Sequence, residues 1–135
     1  MDERELRAFH QAAQPILQRT APVGPEGAVK ITPPILDQIA WNVVLAFVAN
    51  ASPKPPKAIP RQAQTGESLR DEQIYAALAS LKRASGPPLE PQPQGMAQFE
   101  VAVRRILGAY GWAPRRAGQA ASEVAAALQA VTARR

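Results

Sequence analysis

The sequence predicts an all-α protein: a compact bundle of four to five helices with proline-rich connecting segments. Alanine, the residue with the highest helix propensity, fills 27 of the 135 positions. The 14 prolines are clustered instead of scattered, and each cluster interrupts a helical pattern. Between the clusters, apolar residues recur at spacings of three and four, which places them on one face of a helix. We therefore expect a single helical domain over residues 1–135.

The first helix is predicted over about residues 2–19, with acidic residues in its first turn, where the helix dipole favours them. Its apolar face comprises Leu6, Phe9, Ala13 and Ile16. Because the proline ring removes a backbone donor, Pro15 is expected to kink this helix or to end it near Gln14. His10, the only histidine, is predicted to face solvent.

The second helix, over about residues 33–51, is predicted to be the central apolar helix. Thr32 is a good N-cap, and Pro33 occupies a first-turn position where proline is tolerated. Few polar residues follow, and a helix that is apolar nearly all round is usually buried on most sides. Trp41 and Asn42 are expected at the rim of the buried surface.

The third helix is predicted over about residues 68–84. Ser68 and Asp71 have the spacing of a capping box, with Asp in place of the usual Glu. Its predicted apolar stripe comprises Ile74, Leu78 and Leu81. The prolines that follow it, like those of residues 52–66, are interpreted as semi-rigid spacers, with docking into aromatic grooves as the alternative.

The last two helices, over about residues 95–110 and 115–133, are predicted to form a C-terminal helical hairpin. Gly111 is a natural stop between them. The seam of the fourth helix comprises Met96, Phe99, Val103, Ile106 and Tyr110, and that of the fifth comprises Ala117, Ala121, Val124, Leu128 and Val131. These seams close either within one chain or between two copies of it. The expected partner is a second copy of this chain or another protein, which gives a homo-oligomer or a hetero-oligomer.

The supply of reactive side chains argues against an enzyme. Cysteine is absent and His10 stands without a nucleophile motif, so no Ser-His or Cys-His site is predicted. No metal-ligand spacing and no glycine-rich phosphate loop occur, and no cofactor or metal is expected. Candidates for acid–base work are the carboxylate pairs Glu3 with Glu5 and Asp71 with Glu72 and, above these, Asp37, whose neighbours are apolar. All of them are predicted in first helical turns, where the helix dipole also explains an acid.

The C-terminal part of the chain is basic. Residues 95–135 contain six arginines and two acids: the arginines are Arg104, Arg105, Arg115, Arg116, Arg134 and Arg135. Such a face attracts phosphate backbones by counterion release, which makes nucleic-acid binding the alternative function. An acidic protein partner or a solvated basic surface explains the same arginines.

A short segment, Gly111 to Ala117, resembles the turn and helix opening of some bacterial helix-turn-helix domains. The resemblance covers under ten residues and implies DNA binding. It fails further on, because such a motif needs a turn soon after Ala121. Residues 122–125 are predicted to continue as helix.

The function predicted from these features is a non-enzymatic protein–protein interaction module, an adaptor or assembly subunit of a larger bacterial or phage complex. Trp41, Tyr110 and Trp112 lie near predicted helix edges and are the candidate partner-binding residues, although each also fits a role in the core. The charged N-terminus lacks the apolar segment of a signal peptide, and residues 35–51 are too short and too polar for a membrane span. A cytoplasmic location is therefore expected.

Overall fold

The computed structural model describes residues 2–22, 31–51, 69–83 and 90–134, with side chains up to residue 80 in the third range. Within these ranges 85% of the residues are helical and no strand is present, which confirms the predicted all-helical architecture. The five helices are α1 (Glu3–Thr20), α2 (Pro33–Ala51), α3 (Asp71–Arg83), α4 (Pro93–Ala109) and α5 (Pro114–Ala133). The predicted proline-rich connecting segments fall largely outside the described residues.

Four helices surround one apolar core. α1 packs against α2 and α5, and α4 packs against the same two helices, so that α1, α2, α4 and α5 form a closed ring. At its centre the rings of Phe9, Phe47 and Phe99 meet edge to face or tilted, with centroids 5.9–6.4 Å apart. Such aromatic pairs each contribute about 0.5–1.5 kcal/mol beyond the burial of their area. The fifth helix, α3, packs against α1 on the outside of the ring.

Of the two outcomes predicted at Pro15, an end of the helix near Gln14 is wrong, because α1 continues to Thr20. Pro15 is exposed, so the Gln11 carbonyl, which loses its helical donor there, can bond water instead. Beyond the proline, Leu17 and Thr20 are buried. Their packing offsets the cost of the missing hydrogen bond, which explains why tertiary structure overrides the local signal.

α2 has ten consecutive buried residues, from Ile39 to Val48. Asn42 was expected at the rim but is fully buried, and the Gln38 side-chain amide donates to its Oδ1 at 3.1 Å. By length and composition α2 is the one helix among the described ranges that could cross a membrane. However, 56% of its most apolar window is buried inside the bundle, as is typical of the core helix of a soluble protein.

The start of α3 differs from the predicted capping box. The helix begins at Asp71, which is therefore its first residue and cannot be the third residue after an N-cap at Ser68. Instead, the Gln73 side chain accepts a hydrogen bond from the Arg70 backbone N–H at 2.9 Å. Ile74 and Leu78 of the predicted stripe are buried, and the Leu81 side chain lies outside the described part of the chain.

α4 and α5 pack together, and their seams are closed within the chain. All ten seam residues are buried except Tyr110, which is partly buried against the core. Gly111 has a φ of +102°, a conformation that glycine tolerates best, and it separates the two helices as predicted. At the other end of α4, a Cβ on Gly95 would stand 2.9 Å from the Asn50 carbonyl oxygen, so glycine permits the close approach of α4 to α2.

Candidate functional site: a cleft between α1, α2 and α3

A cleft of about 440 Å³ separates α3 from the ring. Its volume is in the range of small-ligand sites in proteins. α1 contributes the polar floor, α2 contributes an acid and a tryptophan, and α3 contributes the opposite wall. The lining residues are Arg7, His10, Gln11, Gln14, Asp37, Trp41, Asp71, Ile74, Tyr75 and Leu78.

His10 forms part of the cleft wall and is only 7% exposed, so the prediction that it faces solvent is wrong. Its imidazole stacks on the Trp41 indole with centroids 4.0 Å apart and planes inclined by 22°. The sequence did carry a signal for this burial. Position 10 lies four residues after Leu6 and three before Ala13, and therefore shares their helix face.

Both ring nitrogens of His10 have partners. Nε2 lies 3.3 Å from the Asp37 carbonyl oxygen and 3.3 Å from its carboxylate Oδ1, whereas Nδ1 lies 3.4 Å from the Gln14 amide nitrogen. An Nε2–H tautomer satisfies this arrangement, because Nε2 then donates to Asp37 and Nδ1 accepts from Gln14. His10 thus links α1 to the first part of α2, a contact between distant positions that no local pattern predicts.

Burial lowers the pKa of His10 below its ordinary value. The hydrogen bond to the Asp37 carbonyl and the Asp37 charge act in the opposite direction and offset part of this effect, and the Arg7 charge adds a further lowering. The imidazole is therefore neutral at pH 7.

Arg7 covers Trp41 at the edge of the cleft. Its guanidinium carbon is 5.9 Å from the indole centroid, a distance typical of a cation–π contact. Its Nη2 also pairs with Glu3 Oε1 at 3.2 Å, one helical turn away. Trp41, 8% exposed, is thus held by two neighbours on α1 and has a defined position in the cleft wall.

The α3 wall combines an apolar base with an exposed rim. Ile74 and Leu78 are buried, whereas Tyr75 is 66% exposed, an unusual exposure for a large aromatic residue. Asp71 is exposed at the start of α3, and the Asp37 side chain across the cleft is 53% exposed. The lining therefore contains two carboxylates, one guanidinium that is already paired, and a neutral imidazole.

The other two predicted partner-binding aromatics lie elsewhere, at the turn between α4 and α5. Trp112 is 3% exposed, and its Nε1–H donates to Thr20 Oγ1 at 3.1 Å. Thr20 in turn donates to the Ile16 carbonyl at 2.8 Å. Trp112 therefore completes the core, as its alternative interpretation allowed, and Tyr110 packs partly buried against that core.

The predicted arginine face is divided into two parts. Arg104, Arg105, Arg115, Arg116 and Arg134 are all exposed, and Arg135 lies outside the described residues. The first four lie towards the α4–α5 turn, where α4 and α5 are close together: a Cβ on Gly118 would lie 3.7 Å from the Arg104 Nε. None of these four forms an ion pair with a described residue. Arg134 lies at the other end of α5, about 28 Å from Arg115, because an α-helix rises about 1.5 Å per residue.

Within the described ranges, no group of three or more His, Asp or Glu residues has an arrangement that could hold a metal ion. A scan against protein-family models found no match, and searches of curated proteins and of solved structures likewise found none. Fold and site together define a four-helix ring with a lateral cleft, closed on its outer side by a fifth helix.

Proposed function

We propose that this protein is a non-enzymatic helical interaction module, an adaptor or assembly subunit of a bacterial or phage complex in the cytoplasm. The observation that carries the proposal is the cleft itself. Its lining includes exposed Tyr75, the Asp37 carboxylate and the largely buried Trp41, each of which lies on a helix. A partner segment that enters the cleft would contact all three.

The chemistry of the cleft favours binding over catalysis. A general base needs a lone pair that reaches the substrate, directly or through one water. His10 is buried, and its two nitrogens are occupied by Asp37 and Gln14. Asp37, the carboxylate most favoured for acid–base work from the sequence, is partly engaged by His10 and Gln14, and its side chain remains 53% exposed.

The aromatic residues of the cleft have the properties of binding anchors. Tryptophan and tyrosine dominate the energetics of many protein interfaces. Trp41 is already immobilised by His10 and Arg7, so its ordering costs little when a partner binds. Tyr75 supplies the accessible area, because most of its surface is open to solvent.

A tagged pull-down from the native host, with and without nuclease, tests the proposal. We expect a stoichiometric protein partner that survives nuclease and is lost with Tyr75→Ala. The matched control is Val101→Ala, which truncates the other large exposed apolar side chain of the described residues, on α4. The proposal fails when no protein is retained, or when both substitutions have the same effect.

Nucleic-acid binding remains a second candidate because of one observation at the start of α5. Arg115 and Arg116 occupy its first turn, where the helix dipole disfavours cations, and that turn contains no acidic residue. Helix stability therefore does not explain them. Their position near Arg104 and Arg105 on α4 creates a local surface without an opposing ion pair.

The second candidate predicts DNA or RNA affinity that falls steeply with salt. Replacing Arg115 and Arg116 by Ala should reduce the salt slope by about two. Arg134→Ala, at the far end of α5, serves as the control. Binding that survives both substitutions in about 0.5 M salt contradicts this function, because phosphate contacts are screened there.

A further inference from the structure

We infer that the cleft recognises a cationic side chain, an arginine or a lysine on an exposed segment of the partner protein. This inference rests on the proposed function and assigns the chemistry of the partner at that site.

The charge of the lining selects a cation. Asp37 and Asp71 contribute two carboxylates from opposite walls, and the guanidinium of Arg7 is already paired with Glu3. Burial lowers the pKa of His10 and so favours its uncharged form. With Arg7 counted beside Asp37 and Asp71, the lining has one net negative charge, which favours a cationic group over an anionic one. This preference is opposite to the net charge of the chain, which is +5.

The aromatic residues provide the second half of such a site. The Trp41 ring is already covered by the stacked His10 imidazole and by the Arg7 guanidinium at 5.9 Å, so it forms part of the wall of the site. Tyr75 offers a second aromatic surface that is mostly open. Carboxylates combined with aromatic faces are a recurrent means of binding ammonium and guanidinium groups.

The size of the cleft limits the occupant. A volume of about 440 Å³ accommodates a long side chain with its adjoining backbone, not a whole helix. The apolar stem of arginine or lysine fits the buried surface of Ile74 and Leu78 while the charged group reaches the carboxylates.

The test uses the full-length protein and two small probes. N-acetyl-arginine amide carries the cation, and N-acetyl-citrulline amide has nearly the same shape without the charge. Binding is followed by NMR on the two tryptophan indole N–H signals. Trp41 lies in the cleft wall, whereas Trp112 is buried with its N–H bonded to Thr20, so it is an internal control.

We expect the arginine probe, at millimolar concentrations, to shift the Trp41 signal saturably and to leave Trp112 unchanged. The citrulline probe should give no saturable shift. Asp71→Asn should weaken arginine binding about two- to fivefold, as for an exposed ion pair. Glu72→Gln removes the neighbouring exposed acid, which does not line the cleft, and should leave the affinity unchanged.

Equal responses to the two probes, or no saturable response of Trp41 to arginine, overturn the inference. So does an affinity that is equally sensitive to Asp71→Asn and Glu72→Gln. These results are separable from the pull-down. If Tyr75→Ala abolishes retention of a protein partner but the protein does not bind the arginine probe, the interaction module stands and only the cation site is contradicted. If the protein binds the arginine probe but retains no protein partner, the interaction module is contradicted instead.

Discussion

The core of the ring and the cleft beside α3 are built on two faces of the same helix, α1. One face buries Leu6, Phe9 and Leu17 among apolar side chains from three other helices. The other face presents Arg7, which pairs with Glu3, and Gln14, whose amide nitrogen contacts His10 and Asp37. His10 stands at the boundary between them. The core is closed and apolar, and the cleft is open and mostly polar.

This difference separates the stabilising part of the molecule from the part available for recognition. Close packing in the core leaves no accessible surface there, so that region can only contribute stability. In the cleft, Tyr75 and Asp37 are largely exposed, so they bury little area and contribute little to the stability of the fold. Three substitutions and one pH titration test this separation.

The largest effect is expected at the centre of the ring. Phe99→Ala removes one of three mutually contacting rings and leaves a cavity, so it should lower the free energy of unfolding by about 3–5 kcal/mol. Urea denaturation measures the change. Val101→Ala, two residues away and 47% exposed, should change it by no more than about 0.5 kcal/mol. Equal effects at the two positions would mean that Phe99 is not in a packed core.

The next effect concerns the contact of α4 with α2. Gly95→Ala places a Cβ 2.9 Å from the Asn50 carbonyl oxygen, and the required shift should cost about 1–3 kcal/mol. Gly108→Ala in the same helix meets no atom within 4 Å and should stabilise the protein by up to about 1 kcal/mol. Thermal denaturation of both variants should therefore give shifts of opposite sign, and shifts of the same sign would contradict this close approach.

The stability of the protein is expected to depend on pH through His10, the residue at the boundary between core and cleft. Because its pKa is lowered in the folded state, the unfolded chain binds the proton more readily, and stability falls as the pH drops below about 6.5. The groups that face the imidazole are Arg7 and Asp37. The free energy of unfolding should decrease from about pH 7.5 to about pH 5.5, where carboxylates remain largely ionised.

The contribution of His10 is identified by the slope of the free energy of unfolding against pH, and not by the free energy at any one pH. His10→Gln should remove most of the slope, whatever its effect on stability at neutral pH. Since the chain has a single histidine, NMR titration of the imidazole gives the pKa directly. A pKa at or above the ordinary histidine value would show that burial does not dominate.

The smallest effect on stability is expected in the cleft. Tyr75→Ala removes a side chain that is 66% exposed, so the free energy of unfolding should change by no more than about 0.5 kcal/mol. The same substitution is expected to abolish partner retention. A large loss of stability would assign Tyr75 to the fold and would remove the distinction between the two regions.

Much of the ring was predictable because its helices have regular apolar periodicity. The seams of α4 and α5 were predicted residue by residue, and nine of these ten residues are buried. The continuation of α5 through residues 122–125 was also predicted correctly. Local rules failed where packing competes with propensity, as at Pro15, which lies within α1 in spite of its missing donor.

The cleft was less predictable because its residues come from three separate helices. Asp37 was noticed as an acid among apolar neighbours, and Trp41 as an aromatic near an edge. Their contacts with His10 span 27 and 31 positions along the chain, and no periodicity encodes such a pairing. Tyr75 was not identified, because an exposed tyrosine beside a helical stripe gives no distinctive pattern.

The helical class, the approximate bounds of the helices and most of their buried apolar faces could be predicted from the sequence. These properties follow from propensity and periodicity, which act over a few neighbouring residues. Tertiary structure alone decided that the seams close within one chain, that Trp112 belongs to the core and that Trp41 lines a cleft with His10 and Asp37. Those outcomes depend on which helix faces which, and burial against a distant partner is a property of the whole chain.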